Sequence, residues 1–219
     1  MSVKESVAAA LLVFVFESSP APPSPSTQSI IARWSLDDGT AASGVQGIPP
    51  GQVVRAQAGM GHSAGALVFE AWSTRNYLKP DPRQATRVVI PHDVKLNPSY
   101  PFRVTAWIYP TAEPVYFGGI VEKGQGFGAS YRLALLRGLK VEACLGDRHV
   151  CARSSAALSL NAWHEVALVA DTKNLSLKID GEVAGQAPLD PASKLLSSEP
   201  IIIGERFTGR IDEVSIEAQ

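Results

Sequence analysis

The chain has 219 residues, 45% of them hydrophobic and 19% charged, and its 20 lysines and arginines against 21 aspartates and glutamates leave a formal net charge of −1. Scattered charge that sums to almost nothing excludes the basic field by which nucleic acids and anionic membranes are held. Sixteen prolines and 18 glycines spread along the chain exclude long helices and favour many short strands joined by turns.

In chain order, Lys4 precedes an apolar run from Val7 to Phe16 that is too short to span a bilayer and reads as a secretory h-region. Glu5 dilutes the basic n-region and no small-x-small site follows, so an uncleaved anchor is the alternative. Pro20 to Gln28 is rich in proline and serine and forms a semi-extended tether. Residues 1–28 are therefore set apart from a folded domain over 29–219, with a secreted, cell-surface or periplasmic location expected.

From Ser29 the alternation of apolar and polar residues predicts strands at Ile30 to Leu36, Gln52 to Ala56, Ala66 to Ala71, Arg87 to Ile90, Phe102 to Tyr109, Gly119 to Lys123 and Tyr131 to Leu136. Further strands are predicted at Lys140 to Leu145, Val150 to Ser154, Trp163 to Ala170, Leu175 to Ile179, Glu182 to Ala187, Pro200 to Ile203 and Arg210 to Ile216. Asp180-Gly181 between two of them is a strong hairpin signal, because both turn residues tolerate positive φ. Leu175, Leu177 and Ile179 share one face of their strand and Ser176 and Lys178 the other, which marks an antiparallel sheet wetted on one side. The sum is an all-β, two-sheet antiparallel sandwich of jelly-roll type. Cys144 and Cys151 flank a hairpin tip at Gly146 to His149 and face each other for a disulfide in an oxidising compartment; two unpaired small hydrophobes are the alternative.

The succession Ala66-Leu-Val-Phe69, Val88-Val-Ile-Pro91, Phe102 to Pro110, Ile120 to Gly124, Trp163-His164-Glu-Val, Ile179-Asp-Gly181, Ile203-Gly204 and Phe207 to Val214 resembles the laminin-G-like, concanavalin-A-type jelly roll of bacterial extracellular proteins. The resemblance spans residues 29–219 and implies the fold more sharply than the function, because that scaffold carries lectins, glycosidases, lyases and protein-binding domains. Glucanases of this type carry a Glu-x-Asp-x-x-Glu strand that is absent here. Glu213 and Glu217 share a face, but on the closing strand, and no catalytic residue is expected. The resemblance also implies a possible calcium ion between the first loop and the closing strand, held by Asp38 and Asp212 with Asp37 adjacent; Ala42 stands where relatives have a further aspartate. Alternatively these aspartates are turn residues and acceptors of backbone N–H groups.

His62, His92, His149 and His164 have no metal-ligand spacing, and His164 reads as a satisfied structural histidine. Gly61-His-Ser63-Ala-Gly65 has the letters of a nucleophile elbow without the helix that must follow one. Trp34, Trp107 and Trp163 lie within strands and are expected in the core. Carbohydrate recognition is expected from Trp72, Arg75, Asn76 and Tyr77 in one long loop, with Tyr116 and Phe127 on the opposite rim, since stacking faces and planar polar groups suit sugars. The expected function is non-catalytic binding of an extracellular glycan or glycoprotein, with a protein-binding adhesion domain, or an enzyme with an unrecognised site, as alternatives.

Overall fold

The computed structural model describes residues 29–71, 85–124, 130–146, 150–190 and 195–219. Among the described residues fifteen strands are formed: β1 (Ser29–Trp34), β2 (Gln52–Val54), β3 (Gln57–Met60), β4 (Gly65–Phe69), β5 (Arg87–Ile90), β6 (Phe102–Pro110), β7 (Phe117–Lys123), β8 (Tyr131–Leu136), β9 (Val141–Leu145), β10 (Val150–Arg153), β11 (His164–Ala170), β12 (Asn174–Ile179), β13 (Glu182–Pro188), β14 (Ile201–Ile203) and β15 (Gly209–Ala218). One 3-10 turn, Val94–Leu96, is the sole helical element among the described residues.

The strands assemble into two antiparallel sheets. Sheet I has eight strands in the order β13-β12-β11-β6-β15-β4-β3, with β1 also paired to β15; sheet II has seven in the order β10-β9-β8-β7-β14-β5-β2. The period of two decides which side chains enter the space between them. Along β6, Phe102, Val104, Ala106 and Ile108 are fully buried. The register Val166↔Ala106 and Leu168↔Val104 brings the buried residues of β11 beside them. Sheet II answers with Tyr131, Leu133 and Leu135 of β8, Val141, Ala143 and Leu145 of β9, and Ile201 and Ile203 of β14. Each Val, Leu, Ile and Phe among them contributes about 1.5–3 kcal/mol through the apolar surface it removes from water.

The turn between β12 and β13 has Asp180 at φ 51° and Gly181 at φ 85°, the conformation that Asp-Gly was expected to supply. Cys144 and Cys151 are direct cross-strand partners and form a disulfide with their Cα atoms 4.1 Å apart. The strand absent from the sequence reading is β3, Gln57-Ala-Gly-Met60. It is an edge strand with three of its four residues exposed, so no hydrophobic alternation announces it.

The tryptophans divide. Trp34 is fully buried in the core. Trp107 and Trp163 are only half-buried, which corrects the expectation that all three are core residues. Trp107 alternates with the buried row of β6 and so stands on the outer face of sheet I with Arg103, Thr105 and Tyr109. Among the described residues, no helix is long and apolar enough to cross a membrane. Residues 1–28 lie outside the described residues, as do Trp72, Arg75, Asn76, Tyr77, Phe127 and His149.

Candidate functional site on the outer face of sheet I

The tip of the β3–β4 hairpin, Gly61 to Ala64, folds over the outer face of sheet I. Two glycines permit the close approach. A Cβ at Gly61 would collide with the Gly65 carbonyl, and one at Gly65 with the Asp37 carbonyl. Two aspartates then pin the tip: His62 N donates to Asp212 Oδ2 at 2.9 Å and Gly65 N donates to Asp37 Oδ1 at 3.1 Å. The result is that the exposed imidazole of His62 lies flat on Trp107, with ring centroids 3.5 Å apart and planes 14° from parallel. Trp163 meets the same imidazole edge-on at 6.0 Å and Tyr109 at 5.4 Å, and the Arg210 guanidinium lies 4.9 Å over Tyr109.

Beside this aromatic cluster runs a groove of about 310 Å³ whose lining includes Arg33, Trp107, Glu213, Ser215 and Glu217. Its floor is a directed chain of hydrogen bonds. Ser215 Oγ donates to Glu217 Oε1 at 2.8 Å, and since a serine has one hydroxyl proton, Thr105 Oγ1 must be the donor in the 2.7 Å Thr105–Ser215 contact. One wall is the ion pair in which Arg33 Nε and Nη2 both donate to Glu213 Oε2, at 3.1 and 2.7 Å. A β-bulge between Asp212 and Ser215 carries β15 across this region, so that Ser215 and Glu217 face the groove while Val214 and Ile216 enter the core.

The aspartates expected to hold calcium, Asp38 and Asp212 with Asp37 adjacent, all lie near the hairpin tip. Asp38 is exposed and spends its carboxylate on Thr40, accepting from the backbone N at 3.0 Å and from Oγ1 at 2.6 Å, which lowers its pKa. Asp37, Asp212 and Glu213 instead gather their oxygens within 4.8 Å of one another. Oxygen donors of this kind suit a hard cation. Both oxygens of Asp212 already accept backbone N–H groups, from His62 and Glu213, so the cluster is also satisfied as a hairpin clasp. Burial raises the Asp212 pKa against the lowering effect of those bonds.

His62 makes no charge relay, since its backbone rather than its ring reaches Asp212, while Nδ1 lies 3.3 Å from Ser63 Oγ. A relay-like chain occurs elsewhere: Ser159 Oγ lies 2.9 Å from His164 Nε2, and His164 Nδ1 2.9 Å from Asp180 Oδ2. Asp180 Oδ1 also accepts from Glu165 N, and its side chain is 48% exposed, so this chain ties the segment before β11 to the β12–β13 turn in contact with water. His92 Nδ1 lies 3.1 Å from Lys123 Nζ, whose pKa burial pulls down to about 8. Tyr116, expected on the rim of a sugar site, is 59% exposed and precedes Phe117 at the start of β7 on sheet II, apart from the groove. Sequence reading missed the groove because its residues come from β1, the β3–β4 tip, β6 and β15, which are far apart in the chain. The signal available was the polar side of the alternation in Arg-Val-Thr-Ala-Trp-Ile-Tyr, where Trp107 and Tyr109 fall in phase with Arg103.

Two antiparallel sheets packed face to face in this order define a jelly-roll β-sandwich. The chain belongs to the concanavalin A-like lectin/glucanases superfamily, whose family model matches residues 83–218. No curated protein matches the chain. Among solved structures it is similar to domain 4 of AbnA, an extracellular arabinanase from Geobacillus stearothermophilus, in complex with arabinotriose, at 13% identity and TM-score 0.66 over 87% of this chain and 93% of that one. It is also similar to the binding domain of Paraclostridial Mosquitocidal Protein 1, at 12% identity and TM-score 0.69, and to the receptor binding domain of botulinum neurotoxin D, at 13% identity and TM-score 0.62. In both cases 87% of this chain is covered and 49% of the other, so the chain spans about half the length of those domains.

Proposed function

We propose that the chain is a non-catalytic carbohydrate-binding module of an extracellular protein, taking a neutral saccharide in the groove on the outer face of sheet I. The observation that carries this reading is the His62–Trp107 stack, with Trp163 and Tyr109 around it, placed directly beside the Thr105–Ser215–Glu217 chain. A sugar ring has apolar C–H faces and an equator of hydroxyls, so it needs a flat aromatic surface next to groups that both donate and accept. Glu217 Oε1 is engaged by Ser215, which leaves Oε2 to accept a ligand hydroxyl. The Arg33 charge is neutralised by Glu213, which suits a neutral sugar better than an acidic one. The similarity to an arabinanase domain holding arabinotriose supports the class of ligand. Asp37, Asp212 and Glu213 are the residues that would hold calcium, and an ion there would stiffen the hairpin tip that carries His62.

The test is an array of neutral oligosaccharides, arabinotriose included, probed with the wild type and with Trp107→Ala and Trp163→Ala. Binding that falls at least tenfold in both variants while the circular dichroism spectrum is retained supports the reading. Undiminished binding by both variants moves the site elsewhere, and failure of every glycan beside capture of a protein ligand makes this an adhesion domain. Labelling of Ser159 by a fluorophosphonate would replace the proposal with a hydrolase built on Ser159, His164 and Asp180.

A further inference from the structure

The register of sheet I sets the side chains of its outer face in successive layers. Tyr109 of β6 stands beside Arg210 of β15, Trp107 beside Asp212, Thr105 beside Ser215, and Arg103 beside Glu217. The β3–β4 tip occupies the second of these layers. His62 N is bound to Asp212 Oδ2 and the His62 imidazole covers Trp107 at 3.5 Å, while the Met60 carbonyl accepts from Arg210 Nη1 at 3.3 Å. The hairpin therefore divides the face, and the groove runs on one side of it only, from His62 and Trp107 toward Glu217 and Ile30. Its flanks are closed as well. On one, Arg33, the β1 partner of Ser215, reaches Glu213. On the other, Arg103 Nη2 donates to Glu165 Oε1 at 2.9 Å, and because Glu165 is the β11 partner of Trp107, this ion pair spans the flank of Thr105. Among the described residues only the end at Glu217 and its β1 partner Ile30, which is 51% exposed, carries no such barrier.

We propose that the groove reads the end of a neutral saccharide chain: a terminal unit enters past Glu217 and stops against His62. This rests on the preceding reading of the groove as a saccharide site and adds which part of the saccharide it takes. A unit inside a chain carries a glycosidic link on each side, so both of its neighbours need an exit. A terminal unit needs one exit, which is what the groove has. The volume of about 310 Å³ stands at the low end for small-molecule sites, room for roughly one or two sugar units. Because His62 covers Trp107, the terminal unit meets the exposed imidazole, with Trp107 as its backing. The closed end is polar as well as flat. Ser63 Oγ and His62 Nδ1, 3.3 Å apart, belong to side chains that both line the groove, and His62 Nε2 makes no hydrogen bond among the described residues. The hydroxyl that only a terminal unit has free thus meets groups able to donate and to accept. The stop is built into the backbone: a Cβ at Gly61 would strike the Gly65 carbonyl, and Asp212 and Asp37 hold the two ends of the tip through His62 N and Gly65 N.

The experiment counts protein molecules bound per saccharide chain, by calorimetric titration with arabinotriose and longer linear arabinan fractions. Linear malto-oligosaccharides serve as a second neutral series and cyclodextrin as a neutral ring without ends. One protein molecule per chain is expected at every length, with the dissociation constant per chain unchanged and no binding to cyclodextrin. A count that rises with chain length, or binding to cyclodextrin, overturns the proposal and leaves the saccharide reading in place; no binding by either linear series overturns both. Borohydride reduction of the chains assigns the end that enters: retained binding means the non-reducing end, lost binding the reducing end, and either result supports recognition of an end. His62→Ala keeps the backbone N–H that Asp212 accepts and removes the imidazole. Its affinity should fall at least fivefold for every chain length, with the circular dichroism spectrum retained. Unchanged affinity in that variant means that the ligand does not reach the tip, and the proposal fails while the saccharide reading stands.

Discussion

On the outer face of sheet I the large side chains are aromatic and half-exposed, whereas on that of sheet II they are charged and buried. Trp107, Trp163 and Tyr109 are held by stacking and keep part of their surface for a partner. Arg132 and Glu142 are held by each other and by Arg153 beside Glu122, with Glu122 and Glu142 at 8% and 2% exposure. Half-burial leaves an aromatic group free to gain from a ligand what it has not yet gained from folding. Burial of charge instead makes stability depend on each partner and on pH. Substitutions on sheet I should therefore act on binding, and substitutions on sheet II on stability.

The sharpest break of this contrast is Glu142→Ala. It strands Arg132 beneath the surface without its counter-ion, and a loss of about 3–5 kcal/mol is expected in the denaturation free energy. A loss under 1 kcal/mol would show that water already serves Arg132. Next is pH. Glu122 has its folded pKa near 7 against an ordinary value of 4.5, so the folded state holds its proton more tightly. Its contribution is fully present below pH 4.5 and is lost as pH rises through 7, at a cost of about 3 kcal/mol by pH 8. Glu122→Gln should recover that amount at pH 8 and nothing at pH 4.5; denaturant midpoints at the two values check the sign.

Reduction of Cys144–Cys151, which crosslinks the edge of sheet II over a separation of only seven residues, should cost about 2.5 kcal/mol without unfolding the sandwich. Sheet I should respond more weakly. If calcium lies among Asp37, Asp212 and Glu213 with a dissociation constant of 0.1–1 mM, 1 mM calcium should add about 0.4–1.4 kcal/mol relative to EDTA, read as a shift in melting temperature. Arg33→Ala removes an ion pair whose arginine is 49% exposed, and its effect should lie within about 1 kcal/mol. A larger loss would mean that the groove wall is part of the folding core after all.

The amino-acid sequence by itself determined the sandwich. Strict alternation in segments such as Leu175 to Ile179 and the Asp180-Gly181 turn are local signals, and the burial of one face of a strand leaves an imprint every second residue. It determined the cysteine pair for the same reason, since a short hairpin sets its own register. It did not reveal β3, whose residues are mostly exposed and carry no such imprint. Nor did it separate Trp34 from Trp107, because both lie in strands among apolar neighbours and only the sheet's position decides which face is inward. Asp37 rather than Asp38 joins Asp212 because the backbone of the first loop turns one carboxylate toward β15 and the other toward Thr40. The groove and the setting of Glu122 beside Arg132 were decided by tertiary structure alone. Each joins strands distant in the chain or sets a carboxylate over a glycine, and burial, which raises a pKa or leaves a donor unpaired, is a property of the packed sheets and not of any local stretch of residues.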